Sequence, residues 1–247
     1  MNGLVSSLVS FFLSNNKNQN HQSNPEERFF SSVVGYGDLK KLLMKSILSK
    51  EPIHILLTGP PSTSKTVFLL NMLKSLDDAY FVDATAASGP GMLDHLFESK
   101  TKYLLVDEID KLKKIDQAVL LNVMETGIAS ETKSKGKTRQ KKIKLWIYAT
   151  SNNVEKLSSP LRSRFMEFHL EEYKFEEFQE IARIILKTRY NFDDIVSVKI
   201  IDSVWNKMKS RDMRDVVNLA KLTSSYDDID WLANVRMKYG ICGDNTN

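Results

Sequence analysis

Cysteine is nearly absent from this 247-residue chain: Cys242 stands alone. That excludes an internal disulfide and a cysteine-rich zinc cluster, and it fits a reducing, cytoplasmic setting. Long apolar runs are missing too. None approaches the roughly 20 residues that cross a bilayer, so no integral membrane span is expected. The nearest candidate, MNGLVSSLVSFFLS at the N-terminus, lacks a basic leader and a small-residue cleavage signature, which argues against a secretory signal. Strong net charge is also lacking, at +4, but the charge is uneven. Seven basic residues and no acids lie between Lys133 and Lys144. The rest of the chain is therefore net acidic, and the positive charge is a local element of the kind that marks a contact site.

What is present is ordinary for a soluble globular protein, with 42% apolar and 27% charged residues. Residues 1–28 divide into an apolar segment and a polar, asparagine-rich linker. In the segment, Leu4, Val5, Leu8, Val9 and Phe12 form one face if helical. Residues 4–13 then pack on their own domain, or dock on a partner protein or a membrane surface. Residues 29–170 alternate apolar strands (IHILLT, AYFVDA, KYLLVDE, LWIYAT, MEFHL) with helical stretches. Near-continuous apolar strands between helices indicate a parallel sheet covered on both faces. The expected fold is α/β: a doubly wound, parallel, five-stranded sheet. Residues 171–247 read as helices only, a second all-helical domain.

Behind IHILLT stands GPPSTSKT, Gly59 to Thr66. A phosphate-binding loop gathers successive backbone N–H groups on the phosphates at a helix N-terminus. Its lysine reaches the β- and γ-phosphates, and the following hydroxyl ligates magnesium. Here Gly59, Lys65 and Thr66 occupy those positions, with Pro60, Pro61, Ser62, Thr63 and Ser64 between and Val67 next. Ser64 replaces the second glycine of G-x-x-x-x-G-K-[ST]; serine is small enough, provided it can adopt the local φ. A strand before and a helix after supply the context the motif requires.

KYLLVDEID is the second element. It delivers Asp107 and Glu108 at the C-terminal end of a strand, where α/β sheets place their ligands. Asp107 would hold magnesium opposite Thr66, and Glu108 would act as general base on the attacking water. The alternative is a pair of acids capping the next helix.

GPPSTSKT, LLVDEID, YATSNN, SSPLRSRF and RDMRD together resemble the AAA+ ATPase superfamily over residues 29–225. FVDATAASGP, the segment after VMETG, and LSSPLRSRF are most similar to the Holliday-junction branch-migration (RuvB-type) branch, with clamp loaders next. The resemblance implies a P-loop NTPase sheet with a helical lid, ATP and Mg2+ as ligands, and a homo-oligomeric ring, a hexamer favoured. It also implies roles. Asn152 matches the polar sensor beside the γ-phosphate, with Asn153 as alternative. Arg164 matches the arginine finger that a ring neighbour supplies, with Arg162 as alternative. Arg214 matches the second sensor on the lid, and Val34 and Gly35 match the adenine-pocket segment. The resembled motors carry a winged-helix domain after the lid. The chain stops at Asn247 soon after the last lid helix, which bears against Holliday-junction activity.

Read as an extended strand, KSKGKTRQKKIK places Lys133, Lys135, Lys137, Arg139 and Lys141 on one face, and Gly136 allows a hairpin. Such a row suits a DNA backbone, which rewards charge without base recognition. A solvated loop and an acidic protein partner are the alternatives. The leading expectation is an ATP-hydrolysing ring motor acting on DNA. Behind it stand a protein-remodelling ATPase recruited through the N-terminal segment and a slow ATP-dependent assembly switch.

Overall fold

The computed structural model describes residues 25–132 and 138–240. The expectations placed on residues 4–13 and on Lys133, Lys135 and Lys137 lie outside the described residues. The first unit opens with α1 (Pro25–Phe29) and α2 (Gly37–Ile47), then β1 (His54–Thr58), α3 (Lys65–Ser75), β2 (Ala79–Asp83), α4 (Gly89–Glu98) and β3 (Tyr103–Asp107). It continues with α5 (Lys114–Thr126), β4 (Ile128–Thr132), β5 (Thr138–Lys142), β6 (Trp146–Ser151), α6 (Ser159–Arg162) and β7 (Met166–His169).

Five strands form one parallel sheet in the order β2-β3-β6-β1-β7. Both faces are covered, which is why the strands read as unbroken apolar runs. Successive side chains point to opposite faces and enter two separate cores. Leu56, Leu104, Val106, Ile147 and Ala149 pack with Met92, Leu93 and Leu96 of α4 and Leu120 and Val123 of α5. Ile55, Leu57, Tyr103, Leu105 and Tyr148 pack with Leu43, Met44 and Ile47 of α2 and Phe68, Leu69 and Met72 of α3. Because all five strands run one way, Thr58, Asp83, Asp107 and Ser151 finish along the same edge of the sheet. That edge holds the residues of functional interest.

Residues 25–28, grouped by composition with the linker, form a helix with Phe29. The cause is local: Phe29 and Phe30 are buried and stacked edge-to-face with each other. Glu27 also neutralises Lys40, whose side chain is only 1% exposed, at 2.5 Å. A cation that far from water needs such a partner.

β4 and β5 pair antiparallel, Ile128 opposite Lys142 and Thr132 opposite Thr138, as a hairpin outside the main sheet. Gly127 ends α5 at φ 64, a left-handed conformation that glycine adopts freely.

The chain divides into this unit, which runs to Leu170 apart from Pro61–Thr63, and a second compact unit that takes Pro61–Thr63 and the residues from Glu171 onward. The second is helical: α7 (Phe175–Tyr190), α8 (Asp194–Asp202), a π-turn over Ser203–Lys207, α9 (Met213–Leu222) and α10 (Asp228–Tyr239). Phe178, Ala182, Leu186, Ile200, Val204, Val216 and Ile229 form its buried interior. Among the described residues no helix is long and apolar enough to cross a membrane.

One half-buried group at the start of β1 ties stability to pH. His54 lies edge-on to Phe165 at 6.3 Å, its Nδ1 is buried without a partner, and burial pulls its pKa down to about 4. The folded chain keeps it neutral. Between pH 6.5 and about 4 the unfolded chain takes up a proton that the folded chain refuses, so stability falls as pH drops through that window. The upper bound on the loss is about 3 kcal/mol. Urea unfolding of the wild type should therefore show a larger stability loss between pH 7 and pH 4.5 than unfolding of His54→Leu. Parallel losses in the two proteins would refute it.

Candidate functional site

The loop between β1 and α3 is built on backbone conformation. Gly59 has φ 137, and a Cβ there would stand 2.1 Å from the Leu170 carbonyl oxygen. No other residue fits. Ser62 and Ser64 have φ 67 and 62, so both adopt the left-handed conformation at a cost of roughly 1–2 kcal/mol each. The condition set by the sequence, that serine reach the φ of the missing glycine, is met under strain. Left-handed residues in a turn gather backbone N–H groups into an anion-binding concavity. Lys65 begins α3 and folds back, its Nζ donating to the carbonyls of Gly59 at 2.9 Å and Pro60 at 2.5 Å. Thr66 turns the other way, and its Oγ1 donates to Asp107 Oδ1 and Oδ2 at 2.9 and 3.0 Å.

Asp107 ends β3, and its carboxylate also accepts a bond of 2.5 Å from Thr150 Oγ1. Glu108 follows in a left-handed conformation, φ 51 and ψ 47, with its N–H donating to Thr150 Oγ1 at 2.9 Å. Its side chain makes no capping bond to the 3-10 turn Ile109–Lys111 that follows, so the capping alternative has no support. Instead Glu108 Oε1 accepts from Asn152 Nδ2 at 3.2 Å. The Asn152 N–H in turn donates to buried Asp110 at 3.2 Å. Asn153 is used differently: its side chain caps the turn Val154–Lys156 by accepting the Glu155 N–H at 3.0 Å. Of the two asparagines, only Asn152 meets the acid pair. Thr66, Asp107, Thr150, Glu108 and Asn152 thus form one continuous chain of hydrogen bonds.

Thr66 and Asp107 offer a hydroxyl and a carboxylate in direct contact, hard oxygen donors of the type magnesium takes. Among the described residues no cluster of three or more His, Cys, Asp or Glu could hold a metal alone. Magnesium fits that arrangement, because it is bound by one or two protein oxygens with substrate phosphates and water completing its shell.

The remaining sequence candidates are not members of this chain of bonds. Arg162, at the end of α6, grips Glu167 with two bonds of 2.9 and 3.1 Å and lies 3.7 Å from Glu155. Arg164 is half exposed and ion-paired with Glu125 at the end of α5. Arg214 is the second residue of α9; its side chain is 76% exposed and 4.0 Å from Asp212. Val34 is half-buried, and Gly35 at φ 74 leads into Tyr36 at φ 57. The Tyr36 ring meets Phe68 of α3 edge-on at 5.9 Å, which sets this segment beside the helix that begins at Lys65. Val67 is half-buried in the first turn of that helix.

A family described as "ATPase family associated with various cellular activities (AAA)" matches residues 55–172. The chain carries a domain of the AAA family. Among curated proteins it is similar to the Holliday junction branch migration complex subunit RuvB of Crocosphaera subtropica. The identity is 31% over 183 residues, 68% of this chain and 51% of that protein. It is also similar to RuvB 1 of a Synechococcus strain, at 27% over 173 residues, 65% of this chain and 45% of that protein. The chain thus spans about half the length of the curated relatives it matches. The solved RuvB Holliday junction branch migration motor of Thermotoga maritima superimposes with a TM-score of 0.57 at 22% identity. That match covers 76% of this chain and 61% of that one, and it bears on the fold: a parallel P-loop NTPase sheet followed by helices.

Within this AAA domain the hairpin corrects one expectation. Arg139 and Lys141 do not belong to an outward row of cations. Arg139 pairs with Asp94 of α4, bonds Glu131 at 2.9 Å and covers the Phe97 ring at 4.1 Å. Lys141 donates to the carbonyls of Leu96, Phe97 and Ser99 at 2.7, 3.2 and 2.5 Å, closing the C-terminal end of α4, where a cation is favoured. The cause is the side of the hairpin they occupy. Lys141 stands opposite Ala129, which is fully buried, so this face packs on the domain. Thr138, Gln140 and Lys142 are the exposed side chains of β5.

Two sequence-silent residues join the site, Thr150 and Asp110. Their only signal is polarity beside apolar stretches, Thr150 near the end of β6 and Asp110 in the turn that follows β3.

The strained loop gives a direct test. Ser64→Gly removes the left-handed penalty but adds backbone freedom to the unfolded chain, worth roughly 0.5–1 kcal/mol. It should raise the unfolding free energy by up to about 1 kcal/mol in a urea titration. A clear loss of stability would mean that Ser64 contributes through its hydroxyl.

Proposed function

We propose that this AAA domain binds ATP with magnesium at the Gly59–Thr66 loop and hydrolyses it as a protomer of a homo-oligomeric, hexameric ring that acts on DNA. The observation that carries the reading is the hydrogen-bonded chain from Thr66 through Asp107 and Thr150 to Glu108 and Asn152, at the mouth of a loop whose backbone is shaped for phosphate. In this reading Lys65 leaves the loop carbonyls for the β- and γ-phosphates. Thr66 and Asp107 hold magnesium, whose chemistry is to neutralise phosphate charge. Glu108 accepts a proton from the attacking water, and Asn152 orients that carboxylate. Val34, Gly35 and Val67 border the adenine. Arg164 serves a neighbouring protomer as arginine finger, and Arg214 acts as the second sensor. Between the two finger candidates Arg164 is favoured, because a half-exposed single pair is easier to give up than the two-bond grip on Arg162. The lone cysteine fits a reducing, cytoplasmic setting.

Support for DNA as substrate comes from the relatives named for Holliday junction branch migration and from Lys133, Lys135 and Lys137 in the sequence between β4 and β5. One observation favours a second reading, a protein-remodelling ATPase: two of the five cations assigned to a DNA backbone are engaged by groups of the domain itself. The strain at Ser62 and Ser64 adds a bias toward slow turnover, as in an assembly switch.

ATP turnover measured across protein concentration, with and without duplex, forked and single-stranded DNA, separates these readings. Turnover per protomer should rise with concentration, and DNA should stimulate it with a steep decline in salt. Glu108→Gln should lower it by about 10²-fold or more, and Arg164→Ala by about 10³-fold. Unchanged turnover in Glu108→Gln would sink the hydrolytic assignment, and stimulation by protein alone would favour the second reading.

A further inference from the structure

Strands β3 and β6 are paired from Tyr103–Trp146 to Val106–Ala149, and there their register ends. β6 continues beside β1 as far as Thr58–Ser151. Asp107, still paired with Asp83 of β2, and Glu108 after it therefore have no register partner in β6. The side chain of Thr150 spans that gap. It is 1% exposed, and its hydroxyl makes two bonds, donating to Asp107 Oδ1 at 2.5 Å and accepting the Glu108 N–H at 2.9 Å.

We propose that Thr150 is the positioning residue of the acid pair, holding the Asp107 carboxylate and the Glu108 backbone through one hydroxyl. The inference rests on the nucleotide-hydrolysing reading above. A hydroxyl has a single proton and two lone pairs. Once that proton goes to Asp107, the oxygen can only accept from Glu108, so both partners and their direction are set. The Glu108 backbone is left-handed, a conformation that a side-chain-bearing residue holds only when its surroundings impose it. The Thr150–Glu108 bond is an external tie on it. Glu108 then meets Asn152, two residues beyond Thr150 on the same segment, so the strand that holds the backbone of Glu108 also holds the partner of its carboxylate.

Thr66 and Thr150 bond the same carboxylate and do different things. Thr66 and Asp107 would hold the cation, so the bond between them would compete with it. Thr150 has no ligand role, and its strand is locked to β1, so its bond to Asp107 persists. It acts as an outer-shell partner of a metal-binding carboxylate, a class of residue whose loss costs 10- to 100-fold in metal affinity or activity.

The test is Thr150→Val, which keeps the shape and removes both bonds, beside Thr150→Ser, which keeps the hydroxyl. Binding of a fluorescent ATP analogue is measured with EDTA and with magnesium, together with turnover. Thr150→Val should bind the analogue within about twofold of wild type in EDTA. It should lose about tenfold or more of the tightening that magnesium brings, and about tenfold or more of turnover. Thr150→Ser should restore most of both. If Thr150→Val does not fold, Thr150→Ala against Thr150→Ser gives the same contrast of one oxygen. Wild-type magnesium dependence in Thr150→Val, or equal loss in Thr150→Ser, overturns the proposal. Absence of turnover in the wild type would sink the hydrolytic reading alone, because the magnesium contrast in analogue binding still decides the role of Thr150.

Discussion

The carboxylate of Asp107 is the point through which three separate parts of the chain are joined. Thr66 brings the phosphate loop and α3, Thr150 brings β6, and Asp107 itself ends β3. Charge makes this junction effective. Hydroxyl bonds to a carboxylate are shorter and stronger than neutral ones, and Asp107 receives them from two directions. Because β6 lies between β3 and β1 in the sheet, the two bonds also bridge the strand edge over which the loop turns. The rest of the site inherits its geometry from that junction: Glu108 through the Thr150 oxygen, and Asn152 through Glu108.

The sheet makes such a junction possible, since parallel strands deliver their C-terminal residues to one edge. Its stability comes from the two apolar layers rather than from the polar edge. The edge can therefore carry conformations that cost free energy: Ser62 and Ser64 in the loop, Glu108 after β3, and Tyr36 before α2, all with positive φ. Four such residues close to the proposed nucleotide site match the tendency of strained backbone to gather where function requires a particular aim.

Much of this was legible in the sequence. Five apolar runs with turn residues behind them located the sheet, and the loop and the acid pair were visible because their spacing and strand context are local properties. The misreading of Arg139 and Lys141 shows where the limit lies. Alternation along β5 tells which residues share a face, but whether that face meets water or α4 depends on a helix more than 40 positions away in the chain. Thr150 was invisible for a related reason, since one threonine ending an apolar strand looks the same whether it bonds a carboxylate or solvent. Choosing between Asn152 and Asn153 likewise required the backbone turn at Val154–Lys156, which assigns Asn153 to capping. The helix at Pro25–Phe29 escaped notice because its polar residues match the preceding linker, while the phenylalanines that anchor it lie at its end.

Comparison of wild type with Asp107→Asn decides whether Asp107 organises a magnesium–nucleotide site. The measurement is the affinity for a fluorescent ATP analogue in EDTA and in magnesium. Magnesium should tighten binding to the wild type by about tenfold or more and have little effect on Asp107→Asn, while the two proteins bind alike in EDTA. An equal magnesium effect in both would contradict that role.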